Sequence, residues 1–203
     1  MPKLSAQSRS GSKDLGVGCW AQLIAGYVSE HEALMQTLVA TLPLRQEPIT
    51  LFGKTHLTPR LTSWHGDPGC AYRYSGRSFE PDPWTAELAQ LRARLVETTG
   101  YAFNSVLANY YRDGADAMGA HADDEAELGP TRDDVGIASV SLGARRRFLL
   151  RPKDGGETLE WALGEGDLFV MGGRTQAHFK HRVPRTKKKV GPRMNLTFRV
   201  VVG

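Results

Sequence analysis

The chain has 203 residues, 40% hydrophobic and 24% charged, proportions that exclude extensive disorder and suffice for a buried core without disulfide or metal staples. Two cysteines, Cys19 and Cys70, do not make a disulfide framework, and no stretch reads as a membrane span or a secretory leader, so the expectation is a cytoplasmic protein, or a nuclear one in a eukaryote. The net charge of +4 matters through its distribution: no Asp or Glu follows Asp167, nine Lys and Arg run from Arg174 to Arg199, and Asp113, Asp116, Asp123, Asp124, Glu125, Glu127, Asp133 and Asp134 crowd one segment. A basic surface beside an acidic pocket suits a polyanionic partner and a bound cation.

Residues 1–16, rich in Ser, Gly and Lys, read as a flexible tail. Ser29-Glu30-His31-Glu32 is a capping-box pattern ahead of Ala33, Leu34, Leu38 and Val39, which predicts a helix ending before Pro43, with His31 exposed in its first turn. From about 45 to 80 the chain breaks into short aromatic and β-branched pieces punctuated by Gly and Pro: ITLFGK, WHGDPG and YRYSG. These read as hairpins and loops, and their aromatics interleaved with Lys and Arg offer π faces for bases and cations for phosphate. Trp84 to Thr99 is a second helix, with Leu88, Leu91 and Leu95 on one face, Gly100 past its end, and Arg92 and Arg94 read as solvated.

From Tyr101 onward the apolar period becomes two. Phe103 to Arg112, Gly136 to Gly143, Arg147 to Pro152, Thr158 to Leu163, Asp167 to Gly172, Ala177 to Pro184 and Arg193 to Val202 all read as strands. Two helices followed by these strands predict an α+β, mainly β chain: an antiparallel sandwich or jelly roll flanked by helices, with no internal repeat and no firm domain boundary.

His121 and Asp123 stand two apart after a Gly-containing turn, so an extended backbone would aim both side chains the same way, where they could share a metal. A third ligand must come from a later strand, and His178 and His181 both qualify. Two His and one carboxylate suit iron(II) and leave positions open for a co-substrate and oxygen; zinc hydrolysis is the competing chemistry. Near the chain's end, RMNLTFR alternates Arg193, Asn195, Thr197 and Arg199 along one strand face. Such a row in the interior is costly unless something pairs with it, as a dicarboxylate would; on an outward-facing strand edge it would need no partner.

The ordered set NYYRDGADAMGAHADDE, ASVSLGARRRF, GDLFVMGG, HFKHRVP and GPRMNLTFR resembles the AlkB family of iron(II)- and 2-oxoglutarate-dependent dioxygenases that repair alkylated nucleic acid, over about Leu51 to Arg199. The resemblance implies a double-stranded β-helix, cupin-like, at about 101–203, with N-terminal helices and a finger and nucleotide-recognition lid at about 45–80, in a single domain spanning 17–203. It implies that His121, Asp123 and His181 hold iron, which selects His181 over His178. Arg199 would pair with the far carboxylate of 2-oxoglutarate, and Asn109, Tyr111, Arg193, Asn195 and Thr197 would line the same pocket.

In the lid, Tyr72, Tyr74 and Ser75, with Trp64 to Asp67, resemble segments that sandwich an extruded base, and Asp124 resembles the carboxylate that reads its edge. LFGK, Leu51 to Lys54, resembles the hairpin finger of the homologue that works on double-stranded DNA, with Phe52 as the wedge and Gly53 and Lys54 beside it. Lys187, Lys188 and Lys189 resemble that homologue's basic loop for the backbone. Two positions depart from the pattern: Tyr110 stands where the family often has Arg, and Ala120 replaces a larger residue, which would enlarge the pocket.

The function implied is oxidative demethylation of 1-methyladenine and 3-methylcytosine in DNA, duplex included, by a monomer. It would use iron(II), 2-oxoglutarate and O2 and release formaldehyde after flipping the base. The alternatives are the same chemistry on RNA or single strands, and a nucleic-acid-binding module without catalysis.

Overall fold

The computed structural model describes residues 11–51, 54–70, 72–74, 77–124 and 134–202; for 49–51, 54, 72–74 and 77–79 it describes the backbone alone. The elements run β1 (Lys13–Gly16), β2 (Cys19–Ile24), α1 (His31–Thr41), β3 (Pro48–Leu51), β4 (Lys54–Leu57), β5 (Leu61–Gly66), β6 (Tyr72–Tyr74), β7 (Arg77–Phe79), α2 (Ala86–Thr99) and β8 (Ser105–Tyr111). They continue with β9 (Met118–His121), β10 (Ile137–Gly143), β11 (Arg146–Pro152), β12 (Leu159–Leu163), β13 (Asp167–Gly173), α3 (Thr175–His178), β14 (Phe179–Val183) and β15 (Arg193–Arg199).

Among the described residues the strands form a seven-stranded sheet in the order β1-β2-β13-β10-β15-β8-β5, a four-stranded sheet in the order β12-β11-β14-β9, and the hairpins β3-β4 and β6-β7. All these pairings are antiparallel. This is the expected jelly roll, and its alternation sorts the core into two layers. On the outer side of the large sheet, Val140, Leu142, Leu168, Val170, Met194, Leu196 and Phe198 pack against Leu38 of α1 and Leu88, Leu91 and Leu95 of α2. On the inner side, Ile137, Phe169 and Met171 meet Phe148, Leu150, Phe179 and Val183 of the small sheet. Residues 193, 195, 197 and 199 take the positions between the outward-facing apolar residues of β15, so RMNLTFR turns its polar row inward and is no exposed edge.

The helices differ in how they begin. Thr85 caps α2, its hydroxyl accepting from the Leu88 N–H at 3.3 Å, and Gly100 closes it at φ 75°, as a left-handed C-cap favours. The capping box expected for α1 does not form: the cap position falls on Glu30 with no side-chain hydrogen bond, and His31 is half-buried rather than exposed. Arg92 and Arg94 are likewise not free in solvent. Arg92 pairs with Asp67 at 2.6 Å and lies over the Trp84 ring, while Arg94 donates to the Tyr27 carbonyl at 2.9 Å. Asp67 also accepts from Trp84 Nε1 at 2.8 Å, so it anchors the 67–70 turn to the start of α2.

Three elements fall outside the sequence expectation. The tail assigned to 1–16 gives way at Lys13, where β1 pairs with β2; residues 1–10 lie outside the described residues. Strand β2 pairs with β13 along its whole length, and Gly172 lets this happen, because a Cβ there would run into the Trp20 ring. Between β13 and β14 the chain inserts α3, held by Thr175, whose hydroxyl donates to Gly172 O at 2.6 Å and accepts from Trp20 N at 3.1 Å.

Arg146 ties the loops at one end of the roll. Its guanidinium is buried and donates to the carbonyls of Asp113, Asp116 and Pro184 at 2.8, 2.9 and 2.8 Å. Burial pushes its pKa down from the usual arginine value. Arg146→Leu removes the donor for three carbonyls and is expected to cost about 3 kcal/mol. Scanning calorimetry should then show melting lower by roughly 6–12 °C for a chain of this size.

Candidate active site

The inner polar row of β15 faces a pocket between the two sheets, lined by Asn109, Tyr111, Ser139, Asn195, Thr197 and Arg199 on the large sheet and His121, Asp123, Phe148 and His181 on the other side. His121 ends β9 and His181 lies in the middle of β14, directly opposite one another in the ladder. Asp123 follows after a bend, and the ligand atoms of His121, Asp123 and His181 all lie within 4.8 Å of one another. His121 Nε2 stands 3.8 Å and His181 Nε2 3.9 Å from the Asp123 carboxylate. His178 sits in α3 outside this group.

The chemistry of the three side chains fits a metal. His121 Nδ1 lies 2.9 Å from the Gly119 carbonyl; with the proton there, Nε2 presents its lone pair to the site. His181 is stacked beside Phe148, at 5.5 Å between centroids. Burial, reinforced by His121, lowers its pKa to about 3, so the imidazole is neutral and able to ligate at neutral pH. Asp123 is fully enclosed, and both its carboxylate oxygens lack a hydrogen-bond partner. Burial would raise its pKa, but Arg199 foremost, with both imidazoles, holds it below the usual carboxylate range. Arg199 Nη2 approaches Oδ1 at 2.9 Å as an ion pair outside hydrogen-bond geometry, which leaves the oxygens' lone pairs directed into the site.

The ladder runs away from Asp123 along β15. Asn195 Nδ2 donates to Thr197 Oγ1 at 2.9 Å, and Asn195 Oδ1 accepts from Arg193 Nη2 at 2.8 Å and from Ser139 at 2.9 Å. Arg193 also donates to Ser141 Oγ at 2.7 Å and lies over the Tyr111 ring at 5.3 Å. Its Nε and Nη1 are buried without a partner, and burial pushes its pKa down to about 10. On the adjacent strand β8, directly opposite Asn195, Asn109 Oδ1 accepts from Arg60 Nε at 2.7 Å. The expected polar lining is therefore assembled, but Arg199, expected at a far carboxylate, stands at the Asp123 end, and Arg193 occupies the remote one.

Other expected site residues are dispersed. Asp124 pairs with Lys153 at 3.0 Å, and Trp64 packs with Cys70 and Val201. Within WHGD, His65 is buried between Ser63 Oγ at 2.8 Å and the Pro83 carbonyl at 2.7 Å, so it and Asp67 serve the scaffold rather than a base. Strands β3 and β4 pair as the expected hairpin up to Leu51↔Lys54, while Phe52, Gly53 and Ser75 lie outside the described residues and Lys54, Tyr72 and Tyr74 are described by backbone alone. Lys187, Lys188 and Lys189 are exposed on a loop moored by the Thr186 N–H to the Gly114 carbonyl at 2.9 Å.

The acidic segment is not one acidic pocket. Asp116 is matched by Arg112 at 2.8 Å, Asp124 by Lys153, and Asp134 accepts from Tyr101 Oη at 2.6 Å, leaving Asp123 at the site; Glu125, Glu127 and Asp133 lie outside the described residues. The residue that motif reading missed is Gln176. Buried in α3, its Oε1 accepts from the Asp123 N–H at 3.0 Å, and its carbonyl accepts from Lys153 Nζ at 3.0 Å. One side chain thus fixes the backbone of Asp123, and nothing in the local pattern TQAH signals it.

A family model described as 2OG-Fe(II) oxygenase superfamily matches residues 20–199. The mouse protein named DNA oxidative demethylase ALKBH2 is 41% identical over 162 residues, covering 76% of this chain and 66% of its own length. Mouse alpha-ketoglutarate-dependent dioxygenase alkB homolog 3 is 39% identical over 191 residues, covering 88% of this chain and 65% of its own. The chain thus spans slightly less than two thirds of the length of these curated relatives. The solved structure of OsALKBH1 superposes with a TM-score of 0.64 at 17% identity, covering 93% of this chain and all of that one, which is a likeness of fold.

Gln176→Leu, similar in volume but without the acceptor, should weaken metal binding about 10–100-fold, as titration with Co(II) followed by its visible absorption would read, and cost about 1–3 kcal/mol of stability by leaving the Asp123 N–H unpaired. The lowered His181 pKa means that the unfolded chain binds an extra proton between about pH 6.5 and 3, so the stability of the metal-free protein falls as the pH drops through that window. The slope should approach about 1.4 kcal/mol per pH unit, and urea midpoints between pH 7 and 4 would measure it.

Proposed function

The chain belongs to the 2OG-Fe(II) oxygenase superfamily, and from that premise we propose that it is an oxidative demethylase of N-alkylated bases in DNA, 1-methyladenine and 3-methylcytosine among them. The observation that carries this reading is the cluster of half-buried His121 with buried Asp123 and His181 at one end of an interior polar row whose other end is Arg193. The names of the two relatives, a DNA oxidative demethylase and an alpha-ketoglutarate-dependent dioxygenase, support the same chemistry.

When bound, iron(II) with 2-oxoglutarate and O2 supplies the oxidation that turns an N-methyl into an N-hydroxymethyl group, which leaves as formaldehyde, while 2-oxoglutarate becomes succinate and carbon dioxide. The chain's own residues do the rest. His121, Asp123 and His181 hold the metal, with His181 kept neutral by burial. Arg199 offsets the Asp123 charge. Arg193, with two unpartnered nitrogens, takes the far carboxylate of 2-oxoglutarate in place of Arg199, and Asn109, Tyr111, Asn195 and Thr197 complete the cradle. Met118, Ile137, Phe148, Met171 and Val183 keep the pocket dry.

On the nucleic-acid side, Phe52 serves as the wedge at the hairpin between β3 and β4, with Gly53 and Lys54. Trp64, Tyr72, Tyr74 and Ser75 hold the extruded base, Asp124 reads its edge, and Lys187 and Lys188 hold the backbone. The same reading takes residues 17–203 as one domain acting as a monomer in the cytoplasm or the nucleus. No helix of the described residues is long and apolar enough to cross a membrane.

Purified chain with iron(II) and ascorbate is expected to release formaldehyde from methylated oligonucleotides only when 2-oxoglutarate is added, and Asp123→Ala should abolish the release. Arg193→Met should raise KM for 2-oxoglutarate roughly 10–100-fold, the worth of a charge-assisted hydrogen bond, with a smaller change in kcat. Phe52→Ala should depress turnover of duplex DNA more than of single strands; a parallel RNA oligonucleotide tests the alternative substrate. No 2-oxoglutarate-dependent release from any of them would leave a binding module.

A further inference from the structure

Gly114, in the turn between β8 and β9, does not have a positive φ, so its place is set by space rather than by backbone conformation. A Cβ there would lie 2.5 Å from the Thr186 carbonyl oxygen, 2.9 Å from Thr186 Cγ2 and 3.2 Å from the Lys188 carbonyl oxygen. At the first two distances the atoms would overlap. Only glycine lets this turn lie backbone to backbone against the loop between β14 and β15, and the Thr186 N–H closes the contact by donating to the Gly114 carbonyl at 2.9 Å.

The turn is built to hold its shape. Arg112 Nε and Nη2 reach the two oxygens of Asp116 at 2.8 Å each, the Arg112 N–H donates to the same carboxylate at 2.9 Å, and the Asp113 carboxylate accepts from the Ala115 N–H at 2.8 Å. Arg146 then binds the carbonyls of Asp113 and Asp116 together with that of Pro184, the first residue after β14. At the far end of the loop the Ala144 N–H donates to the Pro192 carbonyl at 3.0 Å, and within it the Lys188 N–H donates to the Thr186 hydroxyl at 3.1 Å. From Pro184 to Pro192 the loop has no helix or strand of its own, yet it is fixed at both ends and in its middle.

What the loop carries gives this mooring a purpose. Arg185, Lys187, Lys188 and Lys189 are exposed, and among the described residues none of them takes part in an ion pair. Cations this close in sequence repel one another, and a free loop would spread them. We infer that Gly114 is a positioning residue for nucleic-acid binding: it seats the loop so that these cations form a fixed array before a strand arrives, which spares the complex the entropy of ordering the loop. The inference rests on the proposed activity on nucleic acid. Gly114 is itself buried and touches no phosphate; it acts through the loop.

The test compares the wild-type full chain with Gly114→Ala and, in case the added methyl group hinders folding, with Thr186→Gly, which frees the loop without adding bulk. Both variants keep every cation. Trypsin digestion read by mass spectrometry should cut after Arg185 or Lys187 to Lys189 on the order of tenfold faster in either variant. Fluorescence anisotropy with a methylated DNA oligonucleotide should show affinity lower by about three- to tenfold, with the slope of log K against log salt unchanged because the cations remain. The double variant Lys187→Gln, Lys188→Gln should instead shrink that slope by about two. Affinity for 2-oxoglutarate, read by calorimetry with Co(II) in the site, should stay at the wild-type value in the loop and turn variants. A wild-type cutting rate or wild-type DNA affinity in both variants would overturn the inference, as would an equal loss of 2-oxoglutarate binding, which marks general damage. If the wild type demethylates DNA and the variants bind it normally, the inference alone falls. If the variants are loosened and bind more weakly but the chain releases no formaldehyde, the proposed activity alone falls.

Discussion

A row of polar groups on β15, enclosed between two sheets, is the constraint that organises this molecule. Arg193, Asn195 and Thr197 are buried and Arg199 nearly so, and an unpaired buried guanidinium is among the costliest groups a fold can carry. Each is therefore met by something placed for it: Ser141 and Asn195 for one nitrogen of Arg193, Ser139 for Asn195, Asp123 for Arg199. The serines appear in a strand otherwise made of Ile, Ala, Val and Leu because they face this row. Among the atoms without a hydrogen-bond partner, Nε and Nη1 of Arg193 lie at one end of the row and both oxygens of Asp123, with Nε of Arg199, at the other, the two ends where ligands belong.

The charge balance works in the same way. Asp123 is buried with one cation, Arg199, close by and the neutral His181 imidazole within reach, and its pKa is held low, so a divalent ion can enter without the carboxylate first having to lose a proton. The surrounding acids could have competed for the ion. Among the described residues, Asp116 is instead neutralised by Arg112 and Asp124 by Lys153, which removes these two as competitors for the ion.

Much of this could be read from the residues. The seven strands after Tyr101 appear in the chain as period-two runs, and the structure keeps each within a few residues, because both faces of β8, β10, β13 and β15 are covered and their apolar content is dense. The His121-x-Asp123 pair and RMNLTFR were legible because side chains two apart in a strand share a face. What could not be read depends on partners distant in sequence. Arg92 looks solvated until Asp67 arrives beside it, and β2 has no pattern of its own because its pairing is dictated by β13. Gln176 acquires meaning only when α3 is folded against residue 123. The order of Arg193 and Arg199 along the pocket is a matter of which end of the strand lies near Asp123, which the alternation of RMNLTFR leaves open.

The pairing of β2 with β13 has a consequence for how the chain reaches this state. The Trp20 N–H donates to the Thr175 hydroxyl across 155 positions, and the central β10 pairs on both sides with strands made later in synthesis. Pairings this far apart in sequence close slowly. During translation the N-terminal third waits, with Trp20 and the apolar face of α1 lacking their partners, until residues near 199 have left the ribosome. The pairing of β9 with β14, which sets His121 opposite His181, likewise cannot form until β14 has been made, so a chain that stops short of it lacks one side chain of the cluster.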